Sequence, residues 1–194
     1  MTKNKIMQQH STSVPFEQLF RQISPEEAGD SFNVFTLVGR DFFAVTAGKE
    51  EHYNSMVGSG GGLGLLFRKP TTWCIARSDR YTLELLKKEQ TYTLTFFPNE
   101  QQNRMLFLGS KSGRDSEKMK EVQLTGIQTP AGNMSFAEAK LIIECKLTQI
   151  TTPNVDDFYS QEDRDNISEA NEDEHTERQF VFGEITSVWV KKDE

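Results

Sequence analysis

Residues 91–97, TYTLTFF, alternate polar and apolar side chains over a full strand length and stop at Pro98. Period-two alternation puts one face of a segment on a core, so this run commits the chain to a sheet protein. Two other runs extend the pattern: FAEAKLIIECKLTQITT (136–152) reads as a long strand, and QFVFGEITSVWVKK (179–192) alternates as the last one. NVFTLV and DFFAVTAG, separated by Gly39 and Arg40, and TTWCIAR (71–77) after Pro70 add β-branched and aromatic strand candidates. Helical spacing is confined to 15–28, with Phe16, Leu19, Phe20 and Ile23 on one face, and to 81–90, 99–109 and 115–123. Helices so few and so irregularly placed do not support regular βαβ winding. The expected fold is mostly β, a closed or split antiparallel β-barrel with inserted helices.

A chain of 194 residues suits one domain with a sizeable core. Residues 1–14 read as a flexible polar N-terminus and 15–194 as that domain. Between 154 and 179 ten acidic residues outnumber two basic ones, so an acidic, solvated excursion is expected at about 154–178. A net charge of −7 argues against a nucleic-acid partner, which needs a positive surface to displace counterions. No apolar run approaches the roughly 20 residues of a membrane span, and MTKNKIMQQHSTS lacks the apolar centre of a signal peptide, so the expectation is a cytoplasmic protein without a membrane partner. Cys74 and Cys145 lie in strand-like runs with no CxxC spacing and read as buried free thiols.

Five glycines crowd positions 58–64, yet they match neither G-x-G-x-x-G nor the Walker pattern. Glycine alone reads as a turn that lets the backbone approach something flat. The segment Arg77-Ser78-Asp79-Arg80-Tyr81-Thr82 is more specific, because it follows a strand and opens a helix. Free N–H groups at a helix start favour an anion, and guanidiniums and hydroxyls add charge-assisted donors. A plain helix cap at Ser78 or Asp79 accounts for the same residues equally well. A second basic loop, Gly109-Ser110-Lys111-Ser112-Gly113-Arg114-Asp115, joins two helical pieces, with Asp115 placed to cap the second. Two such loops in one acidic chain favour a phosphorylated ligand.

His10, His52 and His175 stand beside no plausible nucleophile, and no G-x-S-x-G, H-E-x-x-H or metal-ligand spacing occurs. No catalytic side chain and no metal site is therefore assigned, and any chemistry belongs to a cofactor.

Taken in order, YNSMVGSGGGLG, RSDRYT, TLTFF, LGSKSGRDSEKM, FAEAKLIIECKL and FVFGEITSVWVK resemble the flavin reductase-like family. Its members share the FMN-binding split barrel. The resemblance implies a homodimer with FMN near the subunit interface and NADH or NADPH as co-substrate. It places Asn54, Ser55, Met56, Val57, Ser59 and Gly60 beside the isoalloxazine. Arg77, Ser78, Arg80, Tyr81 and Thr82 would hold the ribityl chain and phosphate, with Lys111, Ser112, Gly113 and Arg114 closing on the phosphate side. Phe96 and Phe97 would wall the flavin, although strand neighbours face opposite ways and core packing suits one of them equally. A non-catalytic FMN carrier or redox sensor on the same fold is the alternative reading.

Overall fold

The computed structural model describes residues 12–114, 117–174 and 176–193, and the side chains of all of these except 172–174. Most of the expected N-terminal segment, His175 and the proposed cap Asp115 lie outside the described residues. Seven strands form one continuous path: β2 (Phe43–Lys49), β3 (His52–Gly58), β4 (Gly61–Leu66), β5 (Lys69–Arg77), β6 (Thr91–Phe96), β9 (Leu141–Thr151) and β10 (Arg178–Lys191). Their order is β3-β2-β6-β9-β10-β5-β4, and the pairs along it are antiparallel. A short β1 (Phe20–Ile23) joins the outer half of β10, and β7 (Gly126–Gln128) pairs with β8 (Met134–Phe136) as a separate ribbon.

The glycine run explains why this sheet curls. β3 and β4 are its two edge strands, yet only Ser59 and Gly60 separate them. Two residues span too little distance to cross a flat seven-stranded sheet, so the edges must come together. Gly60 makes the crossing at φ 86°, a left-handed value that costs glycine nothing. Gly62 then lies against the Trp73 indole, where a Cβ would meet the ring nitrogen at 2.6 Å. What reads in sequence as a turn is thus the seam of the barrel and the start of β4.

Alternation sorts the side chains into layers. Phe43, Val45, Leu94, Phe96, Leu141 and Ile143 fill the barrel interior, where α4 (Tyr81–Glu89) adds Leu83 and Leu86. Each fully buried leucine contributes about 1.5–3 kcal/mol. Ala44, Tyr53 and Phe97 face outward into a second cluster under α5 (Gln102–Ser110), α6 (Lys118–Glu121) and the β7–β8 ribbon. Phe16, Phe20, Ile142 and Trp189 form a third cluster near α1 (Phe16–Leu19). Both cysteines are buried free thiols, and burial pushes the Cys74 thiol up to about 12.

Two expectations change, and a third gains detail. Residues 15–28 are not one helix: α1 ends at Leu19, the chain pairs with β10 through β1, and α2 (Pro25–Ser31) starts afresh. Ser24 causes the restart, since it and Glu27 form a reciprocal capping box ahead of Pro25. NVFTLV is not a strand but α3 (Val34–Gly39), because Asn33 Oδ1 accepts the Thr36 N–H at 3.1 Å and overrides the β-propensity of Val34, Phe35 and Val38. Asn33→Ala is expected to cost about 1 kcal/mol, a fall of roughly 2–4 °C in Tm. An unchanged thermal melt would remove that cap from the account. Finally, the acidic stretch contains a helix, α7 (Gln161–Glu174), followed by Thr176 and Glu177 as the chain returns to β10.

Candidate functional site

The first turn of α4 sets the geometry. Arg80 is its N-cap residue, and the Arg80 side chain makes no capping bond. The Leu83 N–H bonds back to the Arg80 carbonyl at 2.9 Å. The N–H groups of Tyr81 and Thr82 have no backbone acceptor upstream in the helix, which is the polarity that welcomes an anion. The asparagine of β3 is locked to this turn: Asn54 is 3% exposed, and its Nδ2 donates to Thr82 Oγ1 at 2.8 Å.

The second basic loop folds onto the first. Arg114 Nη1 donates to the Asp79 carbonyl at 2.7 Å, its Nη2 pairs with Glu84, and its guanidinium lies 5.4 Å from the Tyr81 ring centroid. Gly113 is pressed against Asn54, so that a Cβ there would strike the Asn54 amide. The result is one pocket of about 70 Å³ between β3, the turn before α4 and the α5–α6 loop. Arg77, Arg80, Lys111, Arg114 and Lys118 line it, and among the described residues Asp79 is the one lining carboxylate. Arg77 grips Asp79 with two bonds of 3.0 and 2.8 Å, and the hydrogen bond from that guanidinium holds the carboxyl below its usual range. Lys111 pairs with Glu121 at 2.5 Å.

Ten of the residues expected at the site meet here: Asn54, Met56, Arg77, Arg80, Tyr81, Thr82, Lys111, Ser112, Gly113 and Arg114. Seven do not line this pocket. Ser55 is fully buried, its hydroxyl 2.5 Å from Thr46 Oγ1, and Val57 packs toward Gly109; alternation along β3 turns both away from Asn54 and Met56. Ser59 and Gly60 form the barrel seam. Ser78 donates its N–H to the Glu177 carbonyl at 2.9 Å, and its hydroxyl is 3.0 Å from Thr176 Oγ1, so it anchors the acidic excursion. Phe96 packs on Phe43 inside the barrel and Phe97 on Phe136 outside it.

Two residues enter that sequence reasoning passed over. Lys118 is 3% exposed and donates to the carbonyls of Leu108 at 2.9 Å and Lys111 at 3.1 Å. Its only signal was its place four residues beyond Arg114, within a run that reads as a surface helix. His52 stands beside no nucleophile, yet its Nε2 lies 2.5 Å from the Tyr81 hydroxyl. A larger cavity of about 510 Å³ between α2, α3 and the strands is lined mainly by apolar residues such as Phe32, Leu63 and Ile185, and lacks the cations that a phosphate needs. Among the described residues, no group of three or more His, Cys, Asp or Glu side chains gathers as a metal site, and no helix is long and apolar enough to cross a membrane.

A curled antiparallel barrel with inserted helices and a cationic pocket at one helix start defines a class, the FMN-binding split-barrel fold. The model of the flavin reductase like domain matches residues 68–194, well over half of the chain, and the protein belongs to that family. No curated protein matches it in sequence. Among solved structures it is similar to an FMN-binding protein from Thermus thermophilus with bound p-hydroxybenzaldehyde, at 20% identity and a TM-score of 0.60 over 78% of this chain and 71% of that one. It is also similar to an FMN-binding domain of a flavin reductases-like enzyme from Shewanella baltica, at 14% identity and a TM-score of 0.62 over 88% and 76%. A third is the NADH:FAD oxidoreductase of Streptomyces globisporus, at 11% identity and a TM-score of 0.58 over 88% and 89%.

Proposed function

We propose that this protein is an FMN-binding oxidoreductase that passes hydride from NADH or NADPH to its flavin. The observation that carries the reading is the convergence of both basic turns and the uncapped start of α4 on one pocket. The donor set fits a phosphate monoester: guanidiniums and ammoniums supply charge-assisted bonds, and the helix start supplies directed N–H groups. A space of about 70 Å³ suits the phosphate end and not the tricyclic ring, which would lie outside it along β3.

In this reading Arg77, Arg80, Lys111 and Arg114 bind the phosphate, and Asn54 keeps β3 in register with the first turn of α4. Tyr81 stacks under Arg114 and, through His52, holds the rim of the pocket. When bound, FMN would supply the hydride chemistry, while this chain supplies binding and orientation. No side chain need act as a general base.

Similarity to proteins named as FMN-binding and as an NADH:FAD oxidoreductase supports the flavin and, more weakly, the nicotinamide. A homodimer is part of the proposal. Phe35 at 86% exposure, Leu65 at 77% and Phe67 at 89% form apolar surface on α3 and the β4–β5 hairpin, of the kind that subunit contacts cover. A cytoplasmic location is likewise proposed.

The test is the visible spectrum of purified protein with FMN under anaerobic conditions, before and after NADH and then NADPH. Bleaching of the oxidised flavin band, faster than that of free FMN with the same nicotinamide, is the expected result. Bound flavin that neither nicotinamide reduces faster than free FMN would make the protein a carrier or redox sensor. Protein that ignores FMN altogether would end the flavin reading.

A further inference from the structure

We propose that Lys118 is the proton-coupled element of this pocket: its ammonium balances the charge of a bound phosphate dianion, and Lys118 takes up one proton from solvent as that ligand binds. The ligand's identity rests on the flavin reading above; the coupling itself rests on the pocket. Only an N–H bond forms, between Nζ and a proton released by solvent or buffer.

Arg77, Lys111 and Arg114 each hold a carboxylate, that of Asp79, Glu121 and Glu84 respectively. Among the described residues, Lys118 holds only two carbonyls, those of Leu108 and Lys111. An ammonium has three donors, so one remains for a ligand. At 3% exposure, water does little to stabilise the charge. Burial first, and the neighbouring Arg80 guanidinium second, push its pKa down to about 8. A dianion placed among these cations supplies the missing opposite charge and draws the proton back.

The surrounding groups are few in kind. The turn before α4 and the helix start bring Arg77, Asp79, Arg80 and Tyr81, with Glu84 and His52 behind them. The α5–α6 loop brings Lys111 and Arg114, α6 and its N-cap residue carry Lys120, Glu121 and Glu117, and β3 presents Asn54 and Met56, which do not titrate. Arginine stays charged throughout, and a phosphate monoester is already a dianion above about pH 7. Between pH 7 and 9 the charge of the depressed Lys118 changes. The sign follows: affinity for the dianion is full below about pH 8 and weakens as pH rises through that value.

The experiment is isothermal titration calorimetry on the full chain, freed of any bound flavin, in two buffers of different ionisation enthalpy, from which protons taken up per ligand follow. FMN is titrated at pH 7.0 and 8.5, and inorganic phosphate at pH 8.5. Wild-type protein should take up a substantial fraction of a proton per FMN at pH 8.5 and little net at pH 7.0, where Lys118 is mostly charged already and the phosphate gives up its own residual proton. Lys118→Arg should keep its affinity at pH 8.5 with uptake near zero, and Lys118→Met should bind more weakly, also with uptake near zero. Wild-type uptake near zero at pH 8.5, or undiminished uptake in Lys118→Arg, overturns the proposal, and neither result depends on the methionine variant folding. Phosphate bound with Lys118-dependent uptake, but no FMN bound, would sink the flavin reading and uphold this one. FMN bound without uptake would do the reverse, and binding of neither ligand would sink both.

Discussion

Replacing Arg80 with alanine is expected to lower affinity for FMN about tenfold or more, read by fluorescence titration. A hydrogen bond to a charged partner contributes about 1.5–3 kcal/mol, and each 1.4 kcal/mol is a factor of ten in Kd. The fold should survive the change. Arg80 supplies its carbonyl, not its side chain, to the first turn of α4, so alanine keeps the Leu83 bond and leaves the helix start as uncapped as before. Riboflavin is the control: it has the ring and ribityl chain without the phosphate, and its affinity should change little. Equal FMN affinity in wild type and Arg80→Ala would take Arg80 out of the site. An equal loss for riboflavin would mean that the guanidinium meets the ring or sugar instead.

The sheet was legible where pattern and burial agree. TYTLTFF, the 141–151 part of 136–152, and 179–192 each supply a central strand, because side chains alternate between two covered faces and the sequence records which is which, whereas Phe136 closes β8 and 137–140 form a turn. Local polar chemistry decided the places where propensity misled. Asn33 and Ser24 start helices in stretches rich in strand formers or in continuous helical spacing, and one side-chain acceptor at the right offset outweighs several weak preferences. The β7–β8 ribbon left no strand pattern, since three-residue strands are shorter than any period that could reveal them. In the candidate site, charge and hydroxyl content pointed to both turns, and the structure joins them. What spacing alone could not give was side-chain direction. Ser55, Val57 and Phe97 sit one residue from pocket or barrel positions and face the other way, while Lys118 looks in sequence like any surface lysine.

The largest loss of stability is expected at Glu144, far from the pocket. This carboxylate is fully buried on the outer face of β9, with no cation bonded to it among the described residues. Three donors hold it instead: Trp189 Nε1 at 2.8 Å, Asn133 Nδ2 at 2.9 Å and the Thr129 hydroxyl. They come from β10 and from the turn between β7 and β8, so one side chain fastens the small ribbon to the barrel. Glu144→Ala strands two fixed N–H donors in the interior and opens a void. At about 1–3 kcal/mol for each orphaned group, the loss should reach roughly 3–5 kcal/mol, a fall in Tm of order 10 °C. Glu144→Gln is the sharper test. Glutamine keeps the shape but turns one acceptor into a donor, which must then face either the indole N–H or the Asn133 amide. It should therefore also destabilise, by about 1–3 kcal/mol, and shift the Trp189 fluorescence. A glutamine variant as stable as wild type would overturn the three-donor account of this junction.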